Sequence, residues 1–334
     1  MSGVKARSWI KVKEFVGLPK RDDFEIVEKE LPALKDGEFL VEALWNTVDP
    51  YMRTNELSNK VGSPMVGGQV AKVTQSKNKD FAVGDVVVGQ FGWTSHSISD
   101  GAGSIMSAVK LDPTIPLPQS TALGILGMPG ATSYFGLLDI CKPIKEGETL
   151  LVNAAAGAVG SAVGQIGKIK GMRVVGFAGS DEKVAYLKSL GFDAAYNYKT
   201  VPSLEAAIKE SCPNGVDVFF DNVGGDFFDT VLRQMNTFGR VSVCGAISQY
   251  NALEPRKGID VSSITLIVKQ LKIEGFIVTR WLDQWQGAFK EMAQWIQEGK
   301  LKYRETVFEG FDSMYDAFVS LFKGDNIGKV VVKI

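Results

Sequence analysis

The chain has 334 residues, with 37 Lys and Arg against 38 Asp and Glu and a formal net charge of −1. A typical domain takes roughly 100–200 residues, so two domains are expected. The balanced charge offers no overall attraction for nucleic acid or an anionic membrane surface and leaves a small molecule as the expected partner.

The first part of the chain carries short strand-like runs at 39–43, 68–73 and 86–89, separated by turn-rich stretches at 31–37 and 111–118. It predicts an irregular, mostly antiparallel β domain. From 149 onward the pattern changes. Strands are predicted at 149–155, 173–178, 194–198, 216–222, 240–246 and 271–278, with helices at 158–170, 181–190, 204–211, 227–238 and 262–269. These strands are continuously apolar rather than alternating, as a parallel sheet covered on both faces requires. Helical crossovers between them predict a doubly wound α/β sheet. A helix at 285–298 and strands at 307–311 and 329–334 follow, the strands returning to the first domain. The expected division is 1–126 with 303–334 for one domain and 127–302 for the other. Trp281, Trp285 and Trp295 fall partly at helical spacing and are expected in the core.

No apolar stretch approaches the roughly 20 residues that span a bilayer. Residues 1–13 alternate charge with single apolar residues where a secretory signal would be apolar. Cys141, Cys212 and Cys244 are odd in number and far apart, which fits buried thiols in a reducing, cytoplasmic compartment. His96 is the only histidine. A zinc site draws three or four ligands from His, Cys and carboxylates, and neither a catalytic nor a structural set is present, so no metal is expected.

The segment LLVNAAAGAVG at 150–160 is a buried strand entering a glycine turn that opens a helix. Gly157 would let the backbone approach a pyrophosphate, Gly160 would let the helix pack close, and the first helical residues, Ala158 and Val159, would offer unpaired N–H groups. Ala155 stands where the usual first glycine would be. Glycine spacing alone is weak, but strand, turn, helix and a continuing βαβ series together predict a dinucleotide site. About 20 residues on, an NAD site would place an acidic residue, and the chain has Phe177-Ala178-Gly179. Ser180 then caps a helix whose first turn holds Lys183, a cation at the positive end of the dipole. A 2′-phosphate beside Lys183 and Tyr198 accounts for that placement and predicts NADP(H). The alternative is that Lys183 simply points into solvent.

Motifs along nearly the whole chain carry a resemblance: TVDPYMR at 47–53, GWTSHS at 92–97, GMPGATSYFG at 127–136, NAAAGAVG at 153–160, GSDEKVAY at 179–186, FDNVGG at 220–225, CGAISQYN at 244–251 and GDNIGK at 324–329. The chain resembles the zinc-free medium-chain dehydrogenases/reductases of the prostaglandin reductase branch, also described as leukotriene 12-hydroxydehydrogenases and alkenal/one oxidoreductases. The resemblance implies a GroES-like β domain joined to a Rossmann domain. It also implies cofactor contacts at Gly157, Ala158, Val159, Gly160, Lys183, Tyr198, Asn222, Cys244, Gly245, Ala246, Ile247, Ser248, Tyr250, Phe276, Ile277, Val278 and Asn326. Zinc-dependent relatives take Cys and His ligands from stretches resembling 47–51 and 67–69, which here carry neither. The chain departs from the family at 251–261, where relatives often have a proline-rich loop and this one has a single proline followed by Arg256 and Lys257. Substrate preference is the property this departure puts in question.

Without a Lewis acid the hydride acceptor must already be activated. An α,β-unsaturated carbonyl qualifies, because hydride addition at the β carbon gathers charge on an oxygen that hydrogen-bond donors can stabilise. The resemblance implies the same ene reduction of enals, enones and 15-oxo-prostaglandins, with NADP+-linked oxidation of the leukotriene 12-hydroxyl as a second activity. Tyr250, beyond the fifth sheet strand, is the chosen donor; the alternative is a phenol that only packs on the cofactor. Tyr51 and Arg53 line the substrate pocket or else pack at a domain interface with an Arg–carboxylate pair. His96 touches substrate or is structural. A zinc-free quinone reductase is the second enzymatic reading, and a non-catalytic NADPH-binding regulatory protein the reading from another class. An edge strand of the parallel sheet predicts a homodimer.

Overall fold

The computed structural model describes residues 3–54, 59–103, 106–254, 258, 260 and 262–334. Within the 251–261 loop, residues 255–257, 259 and 261 lie outside the described residues. The chain forms two compact units: Met1–Gly124 with Glu305–Asn326 and Val330–Ile334, and Ile125–Arg304 with Ile327–Lys329.

In the first unit β1 (Lys5–Lys11) pairs antiparallel with β2 (Phe24–Glu30), Lys5 opposite Glu30 and Lys11 opposite Phe24. The charge alternation at the start of the chain is therefore the period-two pattern of a strand, and it buries Trp9 completely. β3 (Phe39–Thr47) pairs with β4 (Gln69–Ser76) and β6 (His96–Ser99), and β5 (Val86–Gly89) links β4 to β7 (Val109–Lys110), all antiparallel.

The second unit opens with α1 (Met128–Leu138), a helix rich in small and hydroxyl residues to which the sequence pattern assigns no element. Burial stabilises it, with the Ser133 hydroxyl donating to the Pro129 and Val159 carbonyls. There follow β8 (Thr149–Val152), α2 (Ala158–Ile169), β9 (Arg173–Ala178), α3 (Asp181–Ser189), β10 (Ala194–Asn197), α4 (Leu204–Ser211), β11 (Val216–Asp221), α5 (Gly225–Leu232), β12 (Met235–Val243), α6 (Ser263–Lys269), β13 (Lys272–Gly275) and α7 (Trp285–Gln297). The six strands are parallel in the order β10-β9-β8-β11-β12-β13, the Rossmann order with β8 and β11 at the switch point. One face is sealed by Leu151, Val175, Phe177 and Phe219 against Ile208, Phe228 and Val231. Trp281, Trp285 and Trp295 are buried.

The helix expected at 227–238 ends at Leu232, and β12 begins at Met235 rather than at 240. The apolar residues Phe227, Phe228, Val231, Leu232 and Met235 continue a helical period. The Val216 N–H nevertheless takes the Gln234 carbonyl and draws the next residues into the sheet. β8 is likewise shorter than 149–155, because Ala154 turns left-handed at φ 44°.

The chain returns to the first unit through β14 (Glu305–Glu309), α8 (Met314–Lys323) and β15 (Lys329–Lys333). β15 pairs antiparallel with β3, Val331 opposite Thr47, completing a sheet of seven strands. Trp9, Phe24, Met52, Met65 and Trp93 form its core with Met314 and Phe318 of α8, and the Trp9 indole donates to the Phe311 carbonyl at 3.0 Å. Among the described residues no helix is long and apolar enough to cross a membrane.

Candidate active site

The glycine turn between β8 and α2 is held from both sides. The Ala155 N–H donates to the Phe177 carbonyl of β9, and the Gly328 N–H donates to the Ala156 carbonyl. A Cβ on Gly328 would sit 1.9 Å from the Arg304 carbonyl, so only glycine fits there. Gly157 is the N-cap of α2 with no side chain capping it, which leaves first-turn N–H groups for a ligand phosphate. A Cβ on Gly160 would lie 2.6 Å from the Ala154 carbonyl oxygen and 2.7 Å from the Ala155 Cα. Both are backbone atoms that cannot swing aside. Gly160→Ala is therefore expected to destabilise the fold by about 1–3 kcal/mol, read as a lowered Tm, and to weaken NADPH in direct titration. Unchanged Tm and affinity would contradict this packing account.

The carboxyl ends of β8, β11 and β12 are tied by a buried polar network. The Asn153 amide donates to the Asp221 carboxylate at 2.6 Å, while its oxygen accepts the Asn222 N–H at 2.7 Å and its carbonyl accepts the Asn222 amide at 3.0 Å. The Asp221 carboxylate also accepts the N–H groups of Val223 and Gly224, and its backbone carbonyl accepts those of Cys244 and Gly245. Gly224 and Gly225, at φ 69° and 61°, turn the chain into α5.

The 244–250 loop hangs from this turn. The Ile247 N–H donates to Asn222, and the Ser248 N–H and hydroxyl donate to Val223. The Tyr250 phenol oxygen accepts the Ala246 N–H at 3.2 Å, and a Cβ on Gly245 would meet that oxygen at 3.1 Å. Asn222, Cys244, Gly245, Ala246, Ile247, Ser248 and Tyr250 are thus one local structure, built on residues the sequence had not singled out, Asn153 and Asp221. The only signals for them were the motifs that contain them, NAAAGAVG for Asn153 and FDNVGG for Asp221.

At the ends of β9 and β10, Ser180 caps α3 by accepting the Lys183 N–H, and the Asn197 amide donates to Asp181 at 2.9 Å. A Cβ on Gly179 would meet the Tyr198 hydroxyl at 3.4 Å and the Lys199 Cε at 3.3 Å. The structure therefore brings Tyr198 beside the start of Lys183's helix and adds Lys199, a cation the sequence reading missed. Beyond β13, Phe276 packs on Trp281 and Val278 is buried, whereas Ile277 is exposed. Phe276 is half-buried against Phe220 and Trp281, so Ile277 is the most exposed side chain of the three.

In the other unit, Tyr51 is half-buried, and desolvation with the nearby Asp49 charge pushes its phenol above the ordinary range. Arg53 donates to the Phe15 and Gly17 carbonyls and lies over the Phe15 ring. His96 Nδ1 is 3.1 Å from the Ser95 hydroxyl, and Nε2 is 4.0 Å from Glu42. Asn326 is buried beyond α8. Thr47 donates to Asp49, and the Gln69 amide donates to Gly92 and Thr94. Those side chains are engaged in folding the loop and offer no Cys or His. Among the described residues no group of three or more His, Cys, Asp and Glu could hold a metal ion.

A nucleotide-binding Rossmann unit together with an antiparallel sheet containing β3 and β15 defines a medium-chain dehydrogenase/reductase. A model for the N-terminal domain of oxidoreductase matches residues 7–107, and one for zinc-binding dehydrogenase matches residues 158–298, although the donor set just described does not suit zinc. The chain is 55% identical over 331 residues to Prostaglandin reductase 1 of Rattus norvegicus, covering 99% of each. It is 42% identical to 2-alkenal reductase (NADP(+)-dependent) of Nicotiana tabacum, covering 97% of this chain and 96% of that one. The crystal structure of CurA in complex with NADPH from Vibrio vulnificus matches with a TM-score of 0.91 at 39% identity, covering 98% of each chain. The chain belongs to the prostaglandin reductase family of zinc-free medium-chain reductases.

Proposed function

We propose that this chain is an NADPH-dependent reductase of the carbon–carbon double bond of α,β-unsaturated aldehydes and ketones, 15-oxo-prostaglandins among them. NADP+-linked oxidation of a leukotriene 12-hydroxyl is its second activity. The observation that carries the reading is the Tyr250 phenol folded against Gly245 and Ala246 beside the Asn222 turn. NADPH, when bound, supplies hydride, one hydrogen with two electrons. The acceptor takes it at the β carbon, charge collects on the carbonyl oxygen, and the α carbon then gains a proton. With NADPH and substrate bound, the Tyr250 hydroxyl donates toward that oxygen or toward a cofactor hydroxyl.

In the same reading Gly157, Ala158, Val159 and Gly160 hold the pyrophosphate and Lys183 with Tyr198 holds the 2′-phosphate. Asn222, the 244–250 loop, 276–278 and Asn326 hold the remainder of the cofactor. Tyr51, Arg53 and His96 serve the substrate. Residues 127–302 bind nucleotide, and 1–126 with 303–334 bind substrate. The cytoplasm is the assigned compartment, on the strength of the unpaired thiols of Cys141, Cys212 and Cys244.

NADPH loss with purified protein is followed with 4-hydroxynonenal, a 15-oxo-prostaglandin and a quinone. Turnover of the first two is expected. Turnover of the quinone alone would favour the quinone reductase reading, and binding without any turnover the regulatory one.

The assembly is assigned as a homodimer. Ile264, Ile267 and Val268 of α6 lie one helical turn apart or less and are 68%, 72% and 67% exposed, next in sequence to the edge strand β13. Ile267→Asp is expected to yield monomers in sedimentation. A variant as dimeric as the wild type, or a monomeric wild type, would overturn the assignment.

A further inference from the structure

Asp221 is 1% exposed at the end of β11, where β8 and β11 part and where a doubly wound sheet receives its dinucleotide. Its carboxylate is an acceptor in every bond it makes: from the Asn153 amide and from the Val223 and Gly224 N–H groups. Donors on both carboxylate oxygens suit its ionised form. Among the described residues none of its partners is a cation, although an unpaired buried anion is costly. Burial pushes the carboxyl up, and the Asn153, Gly224 and Val223 donors pull against that rise. In the neighbouring loop burial first, and the Asp221 carboxylate second, push the Cys244 thiol up to about 12.

The reduced and oxidised nicotinamides differ by one positive charge, because hydride departure removes two electrons with one hydrogen nucleus. We propose that the Asp221 carboxylate is the fixed counter-charge that favours the oxidised over the reduced nicotinamide in this site, and so eases hydride release. Asp221 touches neither reacting carbon and acts through its field, with Asn153 holding it in place. The inference rests on the NADPH-reductase reading above.

Dissociation constants of NADP+ and NADPH, measured by titration calorimetry without substrate, test it in the wild type and in Asp221→Asn, Asp221→Ser and Asn153→Ala. Removing the charge is expected to raise the ratio of the NADP+ constant to the NADPH constant on the order of tenfold, the scale of one unit charge across about 10 Å at an effective dielectric near 20. Asn153→Ala removes a donor that favours the ionised carboxylate, so the ratio is expected to shift in the same direction by a smaller factor. An unchanged ratio in a folded Asp221 variant overturns the assignment. So does an unchanged ratio in Asn153→Ala, which stands as a test even where the Asp221 variants do not fold. A wild type that binds neither nucleotide overturns the NADPH reading itself.

Discussion

Tyr250→Phe is expected to lower turnover about 10²–10³-fold, the loss found when one donor to a developing oxyanion is removed. Phenylalanine keeps the ring, so whatever the ring packs against stays filled. The hydroxyl is lost, and with it the acceptor for the Ala246 N–H at 3.2 Å. A neutral hydrogen bond of that kind contributes roughly 0.5–1.5 kcal/mol, too little to unfold the unit. Nucleotide affinity is therefore expected to change little while kcat falls. Stopped-flow single turnover of NADPH with an enone separates the two, and turnover within a few-fold of wild type would leave Tyr250 as packing only.

Lys183→Ala is expected to raise KM for NADPH about 10–100-fold, the worth of a charge-assisted hydrogen bond of roughly 1.5–3 kcal/mol. KM for NADH, which lacks the 2′-phosphate, should stay where it is. The reason lies in the helix. Lys183 sits in the first turn of α3, whose cap Ser180 already accepts its N–H, and a cation there costs about 0.3–1 kcal/mol against the dipole. Tyr198 and Lys199 meet Gly179 just before the cap, so the phosphate reading has its partners at hand. An unchanged NADPH constant would leave Lys183 as an ordinary surface lysine.

The parallel sheet was legible because strands such as TLLV, RVVGFA and VDVFFD are apolar on both faces, a pattern that only a doubly covered sheet demands. The glycine turn was legible because its close approaches are to local backbone: Gly160 meets Ala154 and Ala155. The start of β12 was not, since the Phe227–Met235 spacing continues a helix and only pairing with β11 overrides it. α1 was hidden because its helicity comes from burial of residues such as Ser133 and Gly130 rather than from propensity. β1 was hidden behind its charges. In the site, Lys183, Tyr198, Asn222 and Tyr250 were within reach of motif and resemblance. Asn153 and Asp221 lie inside two of those motifs, but their pairing was hidden, because the bond at 2.6 Å joins residues 68 apart in the chain.

Ene reduction is defined by where the hydride goes. NADPH deuterated at the transferring carbon of its nicotinamide, mixed with the purified protein and an α,β-unsaturated ketone, gives a product whose label is read by NMR. The expected product is the saturated ketone with deuterium on the β carbon. An allylic alcohol labelled at the former carbonyl carbon, or a product without label, would contradict it.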